Sequence, residues 1–104
     1  GSHFPPTEKK WQNASSSIFL MHAASLVKKL DGRIINVDIT IICEEPKIAP
    51  YQNQMRQQIS KILTLPVSST SIKATTTEKL GFLGRGEGIA AQAVATVFIP
   101  EKLD

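Results

Sequence analysis

Hydroxyls, glycines and opposite charges gather in one stretch of this chain. Thr75-Thr76-Thr77-Glu78 is followed within a few residues by Gly81, Gly84, Arg85, Gly86, Glu87 and Gly88. Threonine hydroxyls and glycine-flanked backbone amides can donate to phosphate oxygens, a guanidinium can pair with them, and a carboxylate can hold a divalent cation against them. These are the parts of a phosphate site. A glycine-rich turn leading into a strand has the same composition, so composition leaves both open. No Gly-Lys-Ser or Gly-Lys-Thr closes the loop, which excludes a Walker A loop; the glycines are spaced wrongly for a dinucleotide fingerprint, which also needs a helix to follow.

A second charged group, Glu44-Glu45-Pro46-Lys47, also follows a predicted strand. Ligands in α/β sheets bind at strand ends, so two such ends can make one pocket; a charged surface turn is the alternative. Metal and nucleophile candidates are poor. His3 and His22 are the only histidines and have no cysteine pair beside them, so the residues themselves argue for no zinc site. His22 falls in a predicted helix and reads as a partly buried structural residue. Nothing orients Cys43 and His22 together as nucleophile and base.

The elements that must position these groups follow from periodicity. The serines from Ser15 offer an N-cap, and Phe19, Ala23, Leu26, Val27 and Leu30 then recur at helical spacing. Lys28 and Lys29 suit the last turn, and Gly32 is expected to take a left-handed conformation after it. Arg33 to Cys43 alternates Ile35, Val37, Ile39 and Ile41 with polar residues and reads as a strand. Pro50 suits the first turn of a second helix, which carries Tyr51, Met55, Ile59 and Ile62 on one side and ends between Leu63 and Pro66. Thr70 to Thr75 is a shorter strand, and a loop runs from Thr76 to Gly88. Ile89 to Ile99 contains helix-favouring alanines, but Val94, Val97, Phe98, Ile99 and the stop at Pro100 predict a strand. The fold class is α/β: a two-layer α+β sandwich with helices on one face of a mixed sheet.

Composition bounds the rest. The 104 residues are 41% hydrophobic and 20% charged, which suits one compact domain. Aromatics make up only 6%, so the core must rest on Ile, Leu, Val and Ala. No apolar run reaches membrane-spanning length and no signal peptide is present, so no membrane partner is expected. Cys43 is the only cysteine, which excludes an internal disulfide and makes the cytoplasm the default. The net charge of +3 is dispersed, and Trp11 beside Lys9 and Lys10 is too little aromatic-basic interleaving for a nucleic-acid surface. No nucleic-acid partner is expected.

Read together, the segments resemble the 2-C-methyl-D-erythritol 2,4-cyclodiphosphate synthase family of the non-mevalonate isoprenoid pathway. The likeness rests on Asn36-Val37-Asp38 with Thr40-Ile41-Ile42, on Pro46-Lys47-Ile48 followed by Met55-Arg56, and above all on the block from Lys73 to Phe82 continuing through Gly84-Arg85-Gly86-Glu87-Gly88-Ile89-Ala90. It covers essentially the whole chain. Gly1 and Phe4-Pro5 resemble the end of that family's Asp-Ile-Gly-x-x-Phe-Pro segment, which makes Gly1-Ser2-His3 native sequence rather than a tag scar.

The resemblance implies a lyase that converts 4-diphosphocytidyl-2-C-methyl-D-erythritol 2-phosphate to the cyclic diphosphate and releases CMP. It implies a homotrimer with sites between subunits, Zn2+ and a second divalent cation (Mg2+ or Mn2+) as cofactors, and a cytoplasmic bacterial setting, or a plastid-type organelle in a eukaryote. By motif position, Cys43, Glu44, Glu45, Pro46, Lys47, Ile48 and Ala49 correspond to the segment around the cytidine. Thr75, Thr76 and Thr77 correspond to the strand end that meets the phosphates, with Thr76 at the transition-state-stabilising position and Glu78 as ligand of the second cation. Phe82 and Arg85 match further substrate-side positions, and Gly1, Phe4, Pro5, Pro6, Thr7 and Glu8 match the methylerythritol side.

Departures from the family pattern are local. Pro6 and Glu8 stand where many members have aspartates, and Gln92 replaces an acidic residue near the threefold cavity. The family's zinc-binding Asp-x-His and third histidine lie upstream of Asp-Ile-Gly and are not in these 104 residues. The expectation is a single domain over residues 1–104, incomplete at its N-terminus, inactive alone, and open to an upstream fused cytidylyltransferase domain. The alternative is a non-catalytic nucleotide- or phosphate-binding or assembly module of the same fold.

Overall fold

A computed structural model describes residues 1–101. Helix α1 (Ser16–Lys29) leads to strand β1 (Arg33–Ile42), and a 3-10 turn at Ala49–Tyr51 opens helix α2 (Gln52–Leu63). A second 3-10 turn at Val67–Ser69 precedes strand β2 (Thr70–Thr75), and a short helix α3 (Gly81–Gly84) precedes strand β3 (Ala90–Phe98). The sheet order is β2-β1-β3, with β2 parallel and β3 antiparallel to β1. This is the mixed sheet expected, with α1 and α2 packed on one another and on the strands.

Ser15 caps α1 by accepting from the Ser17 amide, and Lys28 and Lys29 occupy its last turn. The left-handed residue after the helix is Asp31 (φ 57°), not Gly32 as the sequence suggested. Gly32 is required for room instead: a Cβ there would lie 2.9 Å from the Phe98 carbonyl oxygen and 3.0 Å from Val27 Cγ1. Helix 1 and the end of β3 therefore meet over a residue that must lack a side chain.

Alternation along β1 buries Val37 and Ile41, and Ile41 forms a cluster with Cys43 and Ile72 against which Ile39, Ile48, Met55 and Ile59 pack. Helix α2 thus turns Met55 and Ile59 inward as its spacing predicts. Tyr51 lies in the 3-10 turn that Pro50 opens, on the same side as Met55 and Ile59, with which it lines one surface groove, but it is half exposed and outside the core cluster. Polar contacts bind the same helix to the free edge of β2. Gln52 Nε2 donates to the Ile72 carbonyl, Arg56 Nε to that of Thr70 at 2.9 Å, and buried Ser60 Oγ to Thr70 Oγ1 at 2.8 Å. Edge carbonyls that would otherwise face solvent are covered in this way.

Strand β3 is different. It is held to β1 by its ladder, which slips between Ile34 and Asn36, and beyond Ala90 every one of its residues is exposed, Val94 and Phe98 included. The Cα radius of gyration is 16.1 Å, against about 13 Å for a compact chain of this length. Among the described residues no helix is long and apolar enough to cross a membrane.

Candidate functional site at two parallel strand ends

Because β1 and β2 run parallel, their C-terminal ends emerge side by side, with Ile42 paired to Thr75 and the Cys43 amide donating to the Thr75 carbonyl at 3.1 Å. A cavity of about 180 Å³ opens there, lined by Cys43, Glu44, Pro46, Lys47, Ile48 and Ala49 on one side and Ala74, Thr75 and Thr76 on the other. The two strand ends do make one pocket. Its floor belongs to the core, since Cys43 is 5% exposed and Ile48 packs on Ile41 and Ile72. Cys43 Sγ donates to the Pro46 carbonyl at 3.5 Å, across a turn whose Glu45–Pro46 bond is cis.

The hydroxyl-rich end is a set turn. Thr76 Oγ1 accepts from the Glu78 amide at 3.1 Å, which leaves its own proton free to donate to a ligand. Thr77 Oγ1 donates to the Leu80 carbonyl at 2.6 Å. Glu78 and Lys79 both have left-handed backbones (φ 54° and 65°), which costs non-glycine residues about 1 kcal/mol each. Two contacts hold them there. The Lys79 amide donates to Glu44 Oε1 at 2.9 Å, tying the two strand ends together, and Gly84 lies so close that a Cβ would fall 2.2 Å from the Lys79 carbonyl carbon.

Not every expected residue enters this cavity. Glu45 is exposed and does not line it. The Thr76–Gly88 stretch is not wholly loop, for it contains α3; there Phe82 is 57% exposed and Arg85 Nε pairs with Glu87 Oε1 at 2.8 Å. That fork holds the guanidinium on its own loop. Gly1, Phe4, Pro5, Pro6, Thr7 and Glu8 do not line the pocket either; they form a turn-rich segment with Glu8 beside Lys10 at 3.6 Å. Ala74, beside Thr75 at the end of β2, also lines the pocket, a place that its apolar side chain does not signal in the sequence.

Among the described residues no three His, Cys, Asp or Glu side chains converge to hold a metal ion. Glu78 is exposed and makes no ion pair among them, so its carboxylate is available as a single ligand. One carboxylate completed by substrate phosphate oxygens suits Mg2+ or Mn2+, which keep most of their shell as water or phosphate. Away from this site, on the sheet face opposite the helices, a hydrogen bond from Lys73, and its charge, hold Asp38 below the usual carboxylate range.

A mixed sheet with helices on one face and a hydroxyl- and charge-lined pocket at its parallel strand ends defines an α/β protein with a pocket where ligands of such sheets bind. The chain belongs to the YgbB family, whose sequence profile matches residues 1–98. The bifunctional enzyme IspD/IspF of Bartonella bacilliformis is 57% identical over 103 residues, covering 99% of this chain and 26% of that protein. The chain thus spans about a quarter of the length of such relatives. A Plasmodium vivax 2C-methyl-D-erythritol 2,4-cyclodiphosphate synthase matches with TM-score 0.79 at 36% identity, over 84% of this chain and 58% of that one. The Plasmodium falciparum IspF in complex with CDP matches with TM-score 0.79 at 34% identity, over 98% and 60%. The resemblance read from the Lys73–Ala90 block holds.

Proposed function

We propose that this chain is part of a 2-C-methyl-D-erythritol 2,4-cyclodiphosphate synthase, a lyase acting on 4-diphosphocytidyl-2-C-methyl-D-erythritol 2-phosphate. The observation that supports it most is the pocket in which Lys47 and the Thr75-Thr76 strand end face one cavity, in a family with a CDP-bound member. In the reaction a 2-phosphate oxygen attacks the β-phosphorus, the bond from that phosphorus to the oxygen of the α-phosphate breaks, and CMP leaves with that oxygen. Catalysis then consists mainly of folding the substrate back on itself and offsetting charge.

The roles follow from position. Cys43, Glu44 and Pro46 to Ala49 enclose the cytidine with Glu45 on the outside of the same turn, Lys47 supplies positive charge, and Thr75, Thr76 and Thr77 meet the phosphates. Thr76, with its proton free, donates to the oxygen on which charge develops. A divalent cation held by Glu78 would neutralise the diphosphate. Gly1 and Phe4 to Glu8 form the methylerythritol side, and Phe82 and Arg85 further substrate contacts. Zn2+ in this reading is held by residues outside the 104. In this reading the chain works as a homotrimer; the bare apolar side chains of β3 support self-association, the IspD/IspF relatives support a fused cytidylyltransferase domain, and the single cysteine supports a cytoplasmic setting.

The test is CMP release by the full-length protein with Mg2+ and Zn2+, beside calorimetry of CDP binding. Lys47→Ala should weaken CDP about tenfold, the loss of one charge-assisted contact. The 104 residues alone should bind CDP and release no CMP. Absence of CMP release by the full-length protein would refute the enzyme and leave a nucleotide-binding module.

A further inference from the structure

The segment before α1 is joined to the rest of the described chain in an unusual way. No hydrogen bond or ion pair among the described residues connects residues 1–13 to anything beyond Ala14. Rings do the joining. Phe4 meets Trp11 edge-on at 4.9 Å, and on α1 it meets Phe19 at 5.0 Å and His22 at 5.0 Å. Trp11 itself stacks on Phe19 at 5.5 Å and meets His22 edge-on at 5.4 Å. In a chain with one Trp, one Tyr and four Phe, three of the six have been gathered at this point.

Within the segment the backbone is closed on itself. The Glu8 amide donates to the Pro5 carbonyl and the Trp11 amide to that of Glu8, both at 3.1 Å, and Gln12 Nε2 donates to the Pro6 carbonyl at 3.1 Å. Pro5 to Glu8 therefore hang between two anchored rings, Phe4 and Trp11. The indole nitrogen of Trp11 is buried without a hydrogen-bond partner, so ring packing and the Lys10 ammonium, 5.0 Å from the ring centre, hold that ring.

We infer that Trp11, Phe19 and His22 are positioning residues: an aromatic platform, made of two α1 rings and the Trp11 ring packed on them, that sets the Pro5–Glu8 turn for substrate. This rests on the proposed function, which gives Phe4 to Glu8 their substrate side. The platform acts through Phe4 and is remote from the cavity at Cys43–Thr76, none of whose lining residues belongs to it. Displacement of a substrate contact by about an ångström can cost up to about a hundredfold in rate.

The experiment uses the full-length protein with Trp11→Ala and Trp11→Phe. Trp11→Ala should raise KM for the cyclisation substrate about tenfold or more, hold CDP affinity within about twofold, and speed exchange of the Glu8 and Trp11-position amides. Trp11→Phe should restore KM to within about threefold, because the lost nitrogen donates to nothing. An unchanged KM with unchanged amide exchange in Trp11→Ala would overturn the platform, as would CDP affinity falling in step with KM, the mark of general damage. If Trp11→Ala does not fold, His22→Ala removes one face of the same platform and is judged by the same readouts. Failure of the unsubstituted protein to release CMP would sink the proposed reaction, and amide exchange would still decide whether the rings hold the turn.

Discussion

Cys43 and Ile48 in the strand-end pocket share a packed cluster with Ile41 and Ile72, and the β1–β2 ladder runs straight into the pocket through the Cys43 amide. Phe4, at the other end of the proposed substrate, meets the rings of Trp11, Phe19 and His22, and no hydrogen bond or ion pair among the described residues ties its segment beyond Ala14. One half of the site is built on ladder and core, the other on a patch of half-buried rings. The difference teaches where rigidity comes from. A strand end inherits the stability of the sheet, so its opening requires global unfolding; a segment with few buried contacts can open locally at lower free energy. The proposed function fits this division, since it asks for a fixed wall at the nucleotide end.

The comparison breaks first at Ile72, which is 2% exposed beneath the pocket. Ile72→Ala should cost about 2–5 kcal/mol by urea denaturation of the full-length protein. Phe4→Ala, at a half-buried ring, should cost about 1–2 kcal/mol, the worth of its edge-on contacts. Equal losses would show that the N-terminal segment belongs to the same cooperative unit as the sheet. Next in size is Ser60→Ala. It strands the buried Thr70 hydroxyl at the foot of β2 and should cost about 1–2 kcal/mol with CDP affinity retained in the folded protein. A fall in CDP affinity would show that the α2 contacts set the pocket as well as support it.

How much of this was legible in the chain depends on range. The apolar alternation of Val37, Ile39 and Ile41 and the helical spacing of Met55 and Ile59 are local signals, and both elements formed where they were read. The strand at β3 was legible from Val94, Val97 and Phe98 over its alanines. Gly32 misled because its reason is the Phe98 carbonyl, far along the sequence, while Asp31 took the left-handed place. The site divided the same way. Parallel strand ends brought Lys47 to Thr75, as strand-end reasoning expects, but the Arg85–Glu87 fork and the Lys79–Glu44 tie are side-chain choices that spacing does not reveal. Nor does spacing reveal that Phe4, Trp11, Phe19 and His22 converge, because the turn that brings them together is irregular.

The smallest expected effect concerns neither region and so tests their independence. Asp38 and Lys73 pair across the β1–β2 ladder on the face away from the helices, with both side chains more than half exposed. The hydrogen bond and charge of Lys73 lower the Asp38 pKa in the folded protein. A depressed carboxyl adds stability that is fully present above its unfolded pKa, near 4, and is lost as pH falls through the folded value. The denaturation midpoint of the unsubstituted protein should therefore fall below about pH 4 with a contribution that Asp38→Asn lacks, and added salt should shrink the difference because exposed pairs are screened. Amide protection of Cys43 and of Glu8 should be the same in Asp38→Asn as in the parent at neutral pH. If either amide loosens, the sheet face carries strain into the site, and the separation of a core-built pocket from a ring-held segment does not stand.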